Sequence, residues 1–187
     1  MEIYVGRRRD VNKGYWMSFE NHPRLEETKK SIYLRCMPCL EKLHSQLQQD
    51  PTELMLKEPL NCWKIVTVLN DFDQCLDLLE AYQDYKLPVS RTVRGRIGTS
   101  DKTNPKVAVI FQVNDAGERD ELLVDLERLA EGITSDYMIY SERGCQDLYR
   151  TLCGDCGIWR EVTFIQNPRM VKVVVEKVGK LLRGEYR

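Results

Sequence analysis

The chain has 187 residues, of which 42% are hydrophobic and 30% are charged, and its formal net charge is -1. This composition is that of a globular protein with a core of its own, and it excludes a disordered chain. The balanced charge argues against a sequence-independent coat for nucleic acid, and no apolar run approaches the roughly 20 residues that a membrane span needs.

The N-terminal residues place their apolar side chains before Arg7-Arg8-Arg9, and no hydrophobic segment of a signal peptide follows. We therefore expect no export signal and a cytoplasmic protein. Seven cysteines are an odd number for a disulfide framework. In a reducing compartment they are expected to be thiols, metal ligands or redox groups.

The first 60 residues carry weaker patterns, and we interpret them as a helical N-terminal extension or subdomain. Ile3 to Val5 predict an edge strand, whereas residues 13–23 look irregular although they contain three aromatic side chains. Spaced apolar residues from Leu25 to Leu47 favour helix. We expect this part of the chain to pack on the core that follows.

Between residues 62 and 140 the sequence contains one pattern twice. An apolar, β-rich run (64–69, then 106–113) ends each time in Asn-Asp, which are good helix N-caps. Apolar residues at helical spacing follow each cap, and a strand (89–97, then 136–140) follows each helix. Two such units in series predict the order β-α-β-β-α-β, with both helices on one face of the sheet.

This order resembles the ferredoxin-like architecture over roughly residues 62–140, and the resemblance extends to architecture alone. It implies an α+β protein with a ferredoxin-like core and C-terminal helix over 61–187, beside the N-terminal extension over 1–60. It implies no particular function, because ferredoxin-like units serve many functions.

The C-terminal part of the chain predicts one more strand and one more helix. Residues 162–165 form the strand, and Asn167-Pro168 supplies an N-cap and a proline at the first helical position. Apolar residues from Val171 to Leu182 then recur at helical spacing, so we predict a helix to about Arg183 although valine favours strands.

Two C-x-x-C pairs, Cys36/Cys39 and Cys153/Cys156, are the most informative polar groups. Four cysteines can hold zinc in a tetrahedral site, and glycines after Cys153 and Cys156 allow the tight turn of a zinc knuckle. The 113 residues between the pairs are unusual for such a site, so the fold would have to bring the pairs together.

Three other interpretations of these cysteines stay open. The first pair can simply fill a hydrophobic core, as free cysteines often do. Cys145 can join the second pair at an iron–sulfur centre. A redox dithiol is less favoured, because Cys153 lies at the end of a short predicted helix and Asp155 lies beside it, and both raise the pKa of a thiol.

Conventional catalysis finds little support in the sequence. The chain has only two histidines, His22 and His44, and neither can be paired with a nucleophile from its position. Residues 95–103 resemble a phosphate cradle but fail the P-loop pattern, because lysine does not follow the second glycine. We interpret them as a hairpin turn.

The predicted sheet offers one further candidate surface. Strand alternation places Arg94 and Arg96 on the face away from the helices, and Tyr140 and Trp159 are expected to join them there. Arginine and aromatic side chains on an open sheet are typical of binding to single-stranded RNA. An alternative is that the N-terminal subdomain or a second copy of the chain covers this face.

The sequence thus leads to one main hypothesis and two alternatives. The main hypothesis is a binding or regulatory protein without an evident catalytic site, acting as a homo-oligomer, with a small molecule or RNA as candidate ligand and no membrane partner. One alternative is a zinc-binding or thiol-redox protein that uses the two C-x-x-C pairs. The other is an RNA-binding module that uses the open sheet face.

Overall fold

The computed structural model describes residues 2–6, 9–11, 14–21, 37–57, 61–86, 93–99 and 106–185. Nine strands lie within these ranges: β1 (Tyr4–Val5), β2 (Arg9–Val11), β3 (Gly14–Glu20), β4 (Glu53–Met55), β5 (Trp63–Leu69), β6 (Arg94–Thr99), β7 (Val107–Val113), β8 (Met138–Arg143) and β9 (Val162–Phe164). The same ranges hold five helices: α1 (37–47), α2 (Phe72–Lys86), α3 (Ala116–Glu131), α4 (Gln146–Cys153) and α5 (Pro168–Leu182). The predicted mixed α+β class is confirmed.

The chain forms two compact units, each assembled from two stretches of sequence. Unit 1 comprises Met1–Lys29 and Cys62–Glu142, and unit 2 comprises Lys30–Asn61 and Arg143–Arg187. The predicted division at residue 60 stays a prediction, because compactness alone does not show which part folds by itself.

Unit 1 is built on a seven-stranded sheet in the order β1-β3-β6-β7-β5-β8, with β2 also paired to β3. Strand β7 is central and runs antiparallel to both β5 and β6, and β3 extends the sheet beyond β6. Val66 lies opposite Ile110, and Ile110 in turn lies opposite Arg96. Most of the sheet is therefore antiparallel.

Helices α2 and α3 pack against each other and against β5 and β7. The N-caps predicted for these two helices are confirmed, because Asp71 accepts a hydrogen bond from the Gln74 backbone N–H and Asp115 accepts one from Glu118, each at 2.9 Å. The third predicted cap, Asn167 before the C-terminal helix, occupies the N-cap position but makes no side-chain capping bond. The buried core between helices and sheet contains Phe19, Ile65, Leu69, Leu78, Tyr82, Ile97, Val109, Phe111, Leu122 and Leu126.

Strand β3 differs from the irregular segment that the sequence indicated. Its Phe19 is fully buried and packs edge-to-face on Phe111, with ring centroids 5.0 Å apart. A side chain at Gly95 would collide with the Phe19 ring and with the Ile110 backbone. The glycine that suggested a phosphate cradle is thus a strand residue that makes room for an aromatic ring.

Some predicted elements lie partly outside the described residues. The strand predicted over 89–97 is described from Val93 onward, and the helical prediction that starts at Leu25 is described only from residue 37 onward. No helix in the described ranges is both long enough and apolar enough to cross a membrane.

Unit 2 packs α1, α4 and α5 around a second hydrophobic core, together with a two-stranded antiparallel sheet formed by β4 and β9. The predicted C-terminal helix is confirmed, because Val171, Val174 and Val178 form its buried face. The predicted strand after residue 161 is also present, but it pairs with β4 and not with the sheet of unit 1.

Candidate functional site

Three of the four predicted zinc ligands lie in the core of unit 2. Cys39 is on α1, Cys153 is the last residue of α4, and Cys156 begins a short 3-10 turn. All three pack into the same hydrophobic cluster. Cys36 lies outside the described residues. The fold therefore brings part of both C-x-x-C pairs into one unit, as a zinc site would require.

Cys153 has the character of a protonated core thiol. Burial, together with the nearby Cys156, raises the pKa of Cys153 to about 11. The Cys156 thiol donates to the Gln146 carbonyl oxygen at 3.4 Å. Within the described part of the chain, no three His, Cys, Asp or Glu side chains are grouped so that they could hold a metal ion.

The turn between Cys153 and Cys156 is organised by a carboxylate. Gly154 has a φ of 86°, which a residue with a side chain rarely adopts. Asp155 Oδ1 accepts a hydrogen bond from the Gly157 backbone N–H at 2.9 Å. In a zinc knuckle such a backbone N–H would donate to a cysteine sulfur. Here the Gly157 N–H donates to the Asp155 carboxylate instead.

The predicted nucleic-acid residues are divided between the two units. Arg94, Arg96 and Tyr140 belong to the sheet of unit 1, where Arg96 is exposed and lies 4.6 Å from the ring centroid of Trp16. Trp159 belongs to unit 2, where its ring stacks on Tyr149 at 4.5 Å. The sheet thus presents the exposed Arg96 over the half-buried Trp16 ring, together with Tyr140 at 40% exposure.

The centre of this sheet face is removed from solvent. Val66 is only 3% exposed and Ile110 only 6%, although both point away from the core beneath α2 and α3. A small cavity beside Arg94 and Glu118 has a volume of about 10 Å³, which is room for one water molecule. Stacking of several bases would need a wider accessible surface than these residues offer.

A buried glutamate and a buried arginine lie beside each other at one end of the same face. Glu20 on β3 pairs in register with Arg94 on β6, and the two side chains are 1% and 7% exposed. Arg94 donates to Asn114 Oδ1 at 3.2 Å, while Glu20 Oε1 and Arg94 Nε have no hydrogen-bond partner in the described structure. Burial raises the pKa of Glu20 to about 7.

The structure also presents a surface that the sequence did not indicate, on the two-stranded sheet of unit 2. Met55 on β4 lies directly opposite Val162 on β9, and Phe164 is diagonal to Met55. Their side chains are 52%, 42% and 68% exposed, respectively, whereas the alternate residues Leu54 and Thr163 are buried. We call the three exposed side chains, Met55, Val162 and Phe164, the apolar ribbon.

The two outer edges of this small sheet differ. Backbone bonds from Leu56 to Glu161 and from Ile165 to Thr52 fix the register. In this register the N–H and C=O groups of Met55, Val162 and Phe164 point away from the partner strand.

On the β4 edge, the Gln46 side-chain amide accepts from the Met55 N–H at 2.7 Å and donates to the Met55 carbonyl at 3.0 Å. On the β9 edge, Val162 and Phe164 have no such partner among the described residues. The β9 edge therefore combines open backbone groups with exposed apolar side chains.

Only a weak signal for this ribbon exists in the sequence. The segment 162–165 reads as a strand, but Glu53–Met55 is three residues long and lies between prolines. No local pattern pairs it with a strand more than 100 residues later. Comparison with protein-family models, curated proteins and solved structures gives no match for this chain.

Proposed function

We propose that the chain is a non-catalytic binding protein that captures an extended segment of a partner protein at the outer edge of β9. One observation carries the proposal: Val162 and Phe164 direct backbone groups and apolar side chains away from unit 2 at the same place. Strand addition to a sheet edge uses this combination, because backbone bonds supply affinity and alternate side-chain contacts supply specificity.

The exposure of Phe164 supports a binding role. Phenylalanine is among the residues most often buried, whereas this side chain is 68% exposed beside two further apolar side chains. Covering it would contribute about 1.5–3 kcal/mol, and each edge hydrogen bond about 1 kcal/mol. Because association itself costs several kcal/mol, we expect a dissociation constant on the order of micromolar or weaker.

The strand order supports the finer architectural proposal, that β5-α2-β6-β7-α3-β8 is a ferredoxin-like unit. The order of these four strands in the sheet is β6-β7-β5-β8, and both helices pack on β5 and β7. In this proposal β1, β2 and β3 are additions at one edge. Cross-strand NMR contacts between β5 and β8 test this architecture. Antiparallel pairing of the two strands is the expected result, and parallel pairing would refute the ferredoxin-like proposal.

Zinc binding remains a second proposal, supported by the location of Cys39, Cys153 and Cys156 in one hydrophobic cluster. Elemental analysis of the purified protein tests it, and the absence of stoichiometric zinc or iron would end it. The RNA proposal is supported by the exposed Arg96, which lies over the Trp16 ring. Loss of low-salt RNA retention after Arg96→Ala in a protein that remains folded would support it, and no retention by the unchanged protein would remove it.

A cytoplasmic location is likewise a proposal. It is supported by the absence of disulfides among the described cysteines, which have a buried or partly buried setting. Cell fractionation with an epitope-tagged chain tests it directly.

Selection of displayed peptides on the immobilised full chain tests the β9 proposal. Peptides that bind should alternate apolar and polar residues, and their affinity is measured by fluorescence anisotropy. Val162→Pro, which removes an outward N–H, and Phe164→Ser should each weaken binding at least about tenfold. Glu53→Pro is the matched control, because it removes an outward N–H from β4 instead.

Equal binding by all variants that remain folded would overturn the proposal, as would failure to select any peptide. Circular dichroism establishes that each variant is folded. If the unchanged chain instead forms a dimer that Val162→Pro disrupts, the occupant of the edge is a second copy and not a foreign segment.

A further inference from the structure

Helix α2 carries a continuous acidic stripe on its exposed side. Asp73, Asp77, Glu80 and Asp84 are all exposed and follow one another at intervals of four, three and four residues. This spacing places them on one side of the helix over about 16 Å. No lysine or arginine interrupts residues 72–85.

Helix α3, which packs beside α2, extends the acidic surface. Asp120, Glu127 and Glu131 are exposed around Val124, which is itself 66% exposed. The two arginines of this helix have local contacts, with Arg119 paired to Asp120 and Arg128 placed over the ring of Tyr85. The outer surface of the helical layer in unit 1 is therefore predominantly acidic.

Helix α5 in unit 2 carries the opposite pattern. After Pro168, its exposed residues lie within one side of the helix and are Arg169, Lys172, Val173, Glu176, Lys177, Lys180 and Arg183 at its C-cap. Lys180 pairs with Glu176 and Arg183 with Glu185. Arg169, Lys172 and Lys177 make no ion pair within the described chain. Val173 is 52% exposed at the middle of this basic stripe.

Part of each stripe suits its own helix. Asp73 lies in the first turn of α2 and Lys180 in the last turn of α5, where the helix dipole favours their charges, and Lys180 also pairs with Glu176. Other charges are placed less favourably. Carboxylates four residues apart repel one another, and Asp84 lies in the last turn of α2, where the helix dipole disfavours negative charge. Helix α5 begins with Arg169 and Lys172 and has no acidic residue in its first turn, where the dipole disfavours positive charge. Local helix stability therefore accounts for only part of these charges.

The two units differ in charge in the same sense as their helices. Unit 1 has 15 lysines and arginines against 20 aspartates and glutamates, a formal net charge of -5. Unit 2 has 13 against 9, a formal net charge of +4. Two copies of the chain can therefore attract each other although the whole chain is close to neutral.

We propose that the basic stripe of α5 binds the acidic stripe of α2 and α3 on a second copy of this chain. The two stripes have similar lengths, about 16 Å on α2 and about 21 Å on α5, and opposite charges. Each also has an exposed valine that can enter the contact. The contact joins two different surfaces, so it is head-to-tail. It is independent of the β9 edge and goes beyond the binding role proposed for that edge.

A second copy fits this stripe better than a nucleic acid does. The chain as a whole carries a formal charge of -1, which gives little long-range attraction for a polyanion. An acidic helix surface of the right length is present on every copy of the chain.

Charge exchange in the full chain tests the proposal by sedimentation. The unchanged protein should associate at about 20 mM salt and dissociate as salt rises to about 500 mM, because screening weakens the contact. Lys172→Glu with Lys177→Glu should weaken association at least about tenfold. Adding Asp77→Lys with Glu80→Lys to the same chain should restore it, because both stripes are then reversed.

Controls separate this outcome from general effects of charge. Lys57→Glu with Arg160→Glu changes the charge of unit 2 equally at exposed positions outside the stripe, and it should leave association unchanged. Val162→Pro should also leave it unchanged, which distinguishes this contact from the β9 edge. Thermal unfolding verifies that each variant is folded.

Two results would overturn the proposal. One is a monomer at low salt and high protein concentration. The other is association that the α2 substitutions fail to restore in a folded protein. Binding of a single-stranded RNA probe that depends on Lys172 and Lys177, without self-association, would assign the basic stripe to nucleic acid instead.

Discussion

The buried carboxyl group of Glu20 makes the stability of unit 1 depend on pH in an unusual direction. Its pKa rises from 4.5 to about 7 because burial penalises the charged form. Between these two values the folded protein holds a proton that the unfolded chain has lost. Stability should therefore be highest below about pH 4.5, fall as the pH rises to about 7, and then level off as far as this group is concerned.

The size of the effect follows from the shift. A rise from 4.5 to about 7 corresponds to about 3 kcal/mol at most, since each pKa unit is worth about 1.4 kcal/mol. Glu20→Gln removes the titrating group and keeps the shape of the side chain. We expect this variant to be more stable than the unchanged protein by about 2–3 kcal/mol at pH 8, and to differ little near pH 4.5.

Urea denaturation of both proteins at several pH values measures this difference, and the comparison cancels the contribution of all other titrating groups. Glu53→Gln is the control, because Glu53 is exposed and should give no such difference. A Glu20→Gln variant that is less stable than the unchanged protein at pH 8 would contradict this prediction. It would indicate that the Arg94 guanidinium, one strand away, pairs with the ionised Glu20 in solution.

Three further predictions concern packing, capping and thiol reactivity. Leu126→Ala should lower the free energy of unfolding by about 2–5 kcal/mol because Leu126 is fully buried. Chemical denaturation should show a change of less than about 0.5 kcal/mol for Val124→Ala, two residues away, because Val124 is exposed. Asp115→Ala should cost about 1 kcal/mol by removing the cap of α3, and an unchanged denaturation midpoint would contradict this role. Burial raises the pKa of Cys75 to about 12 and that of Cys153 to about 11, so iodoacetamide at pH 8 should modify both thiols only after unfolding. Mass spectrometry measures the modification, and reaction of either cysteine in the folded protein at the rate of a free thiol would contradict the prediction.

The thiol prediction bears on the zinc and redox alternatives. A dithiol catalyst needs a thiolate near neutral pH, whereas the surroundings of Cys153 favour the protonated thiol. The sequence had indicated that the pKa of Cys153 is raised, because this residue lies at the end of a predicted helix and near Asp155. The structure adds desolvation as the largest cause.

Several elements could be predicted from the sequence because their signals are local. The N-caps Asp71 and Asp115 act through hydrogen bonds to residues three positions later, which the sequence makes visible. The C-terminal helix follows from the spacing of its valines, since 3.6-residue periodicity outweighs the β propensity of single residues. The strands β5 and β7 are long apolar runs of the kind that a buried sheet requires.

The placement of other residues could not be predicted, because it depends on contacts between distant parts of the chain. Trp159 was expected on the sheet with Arg94 and Arg96, but it stacks on Tyr149 in unit 2. Strand β3 carries no clear alternation of its own. It is ordered by pairing with β6 and by the space that Gly95 leaves for Phe19.

The α+β class, the caps of α2 and α3 and the order of the central elements follow from the sequence, since each depends on neighbours within a few residues. The pairing of β4 with β9 follows from tertiary packing, as does the position of Gln46, which occupies one edge of this pair while the other stays open. A three-residue strand has too few residues to show its partner through periodicity. The partner is chosen by the packing of the whole unit, which also leaves Phe164 exposed.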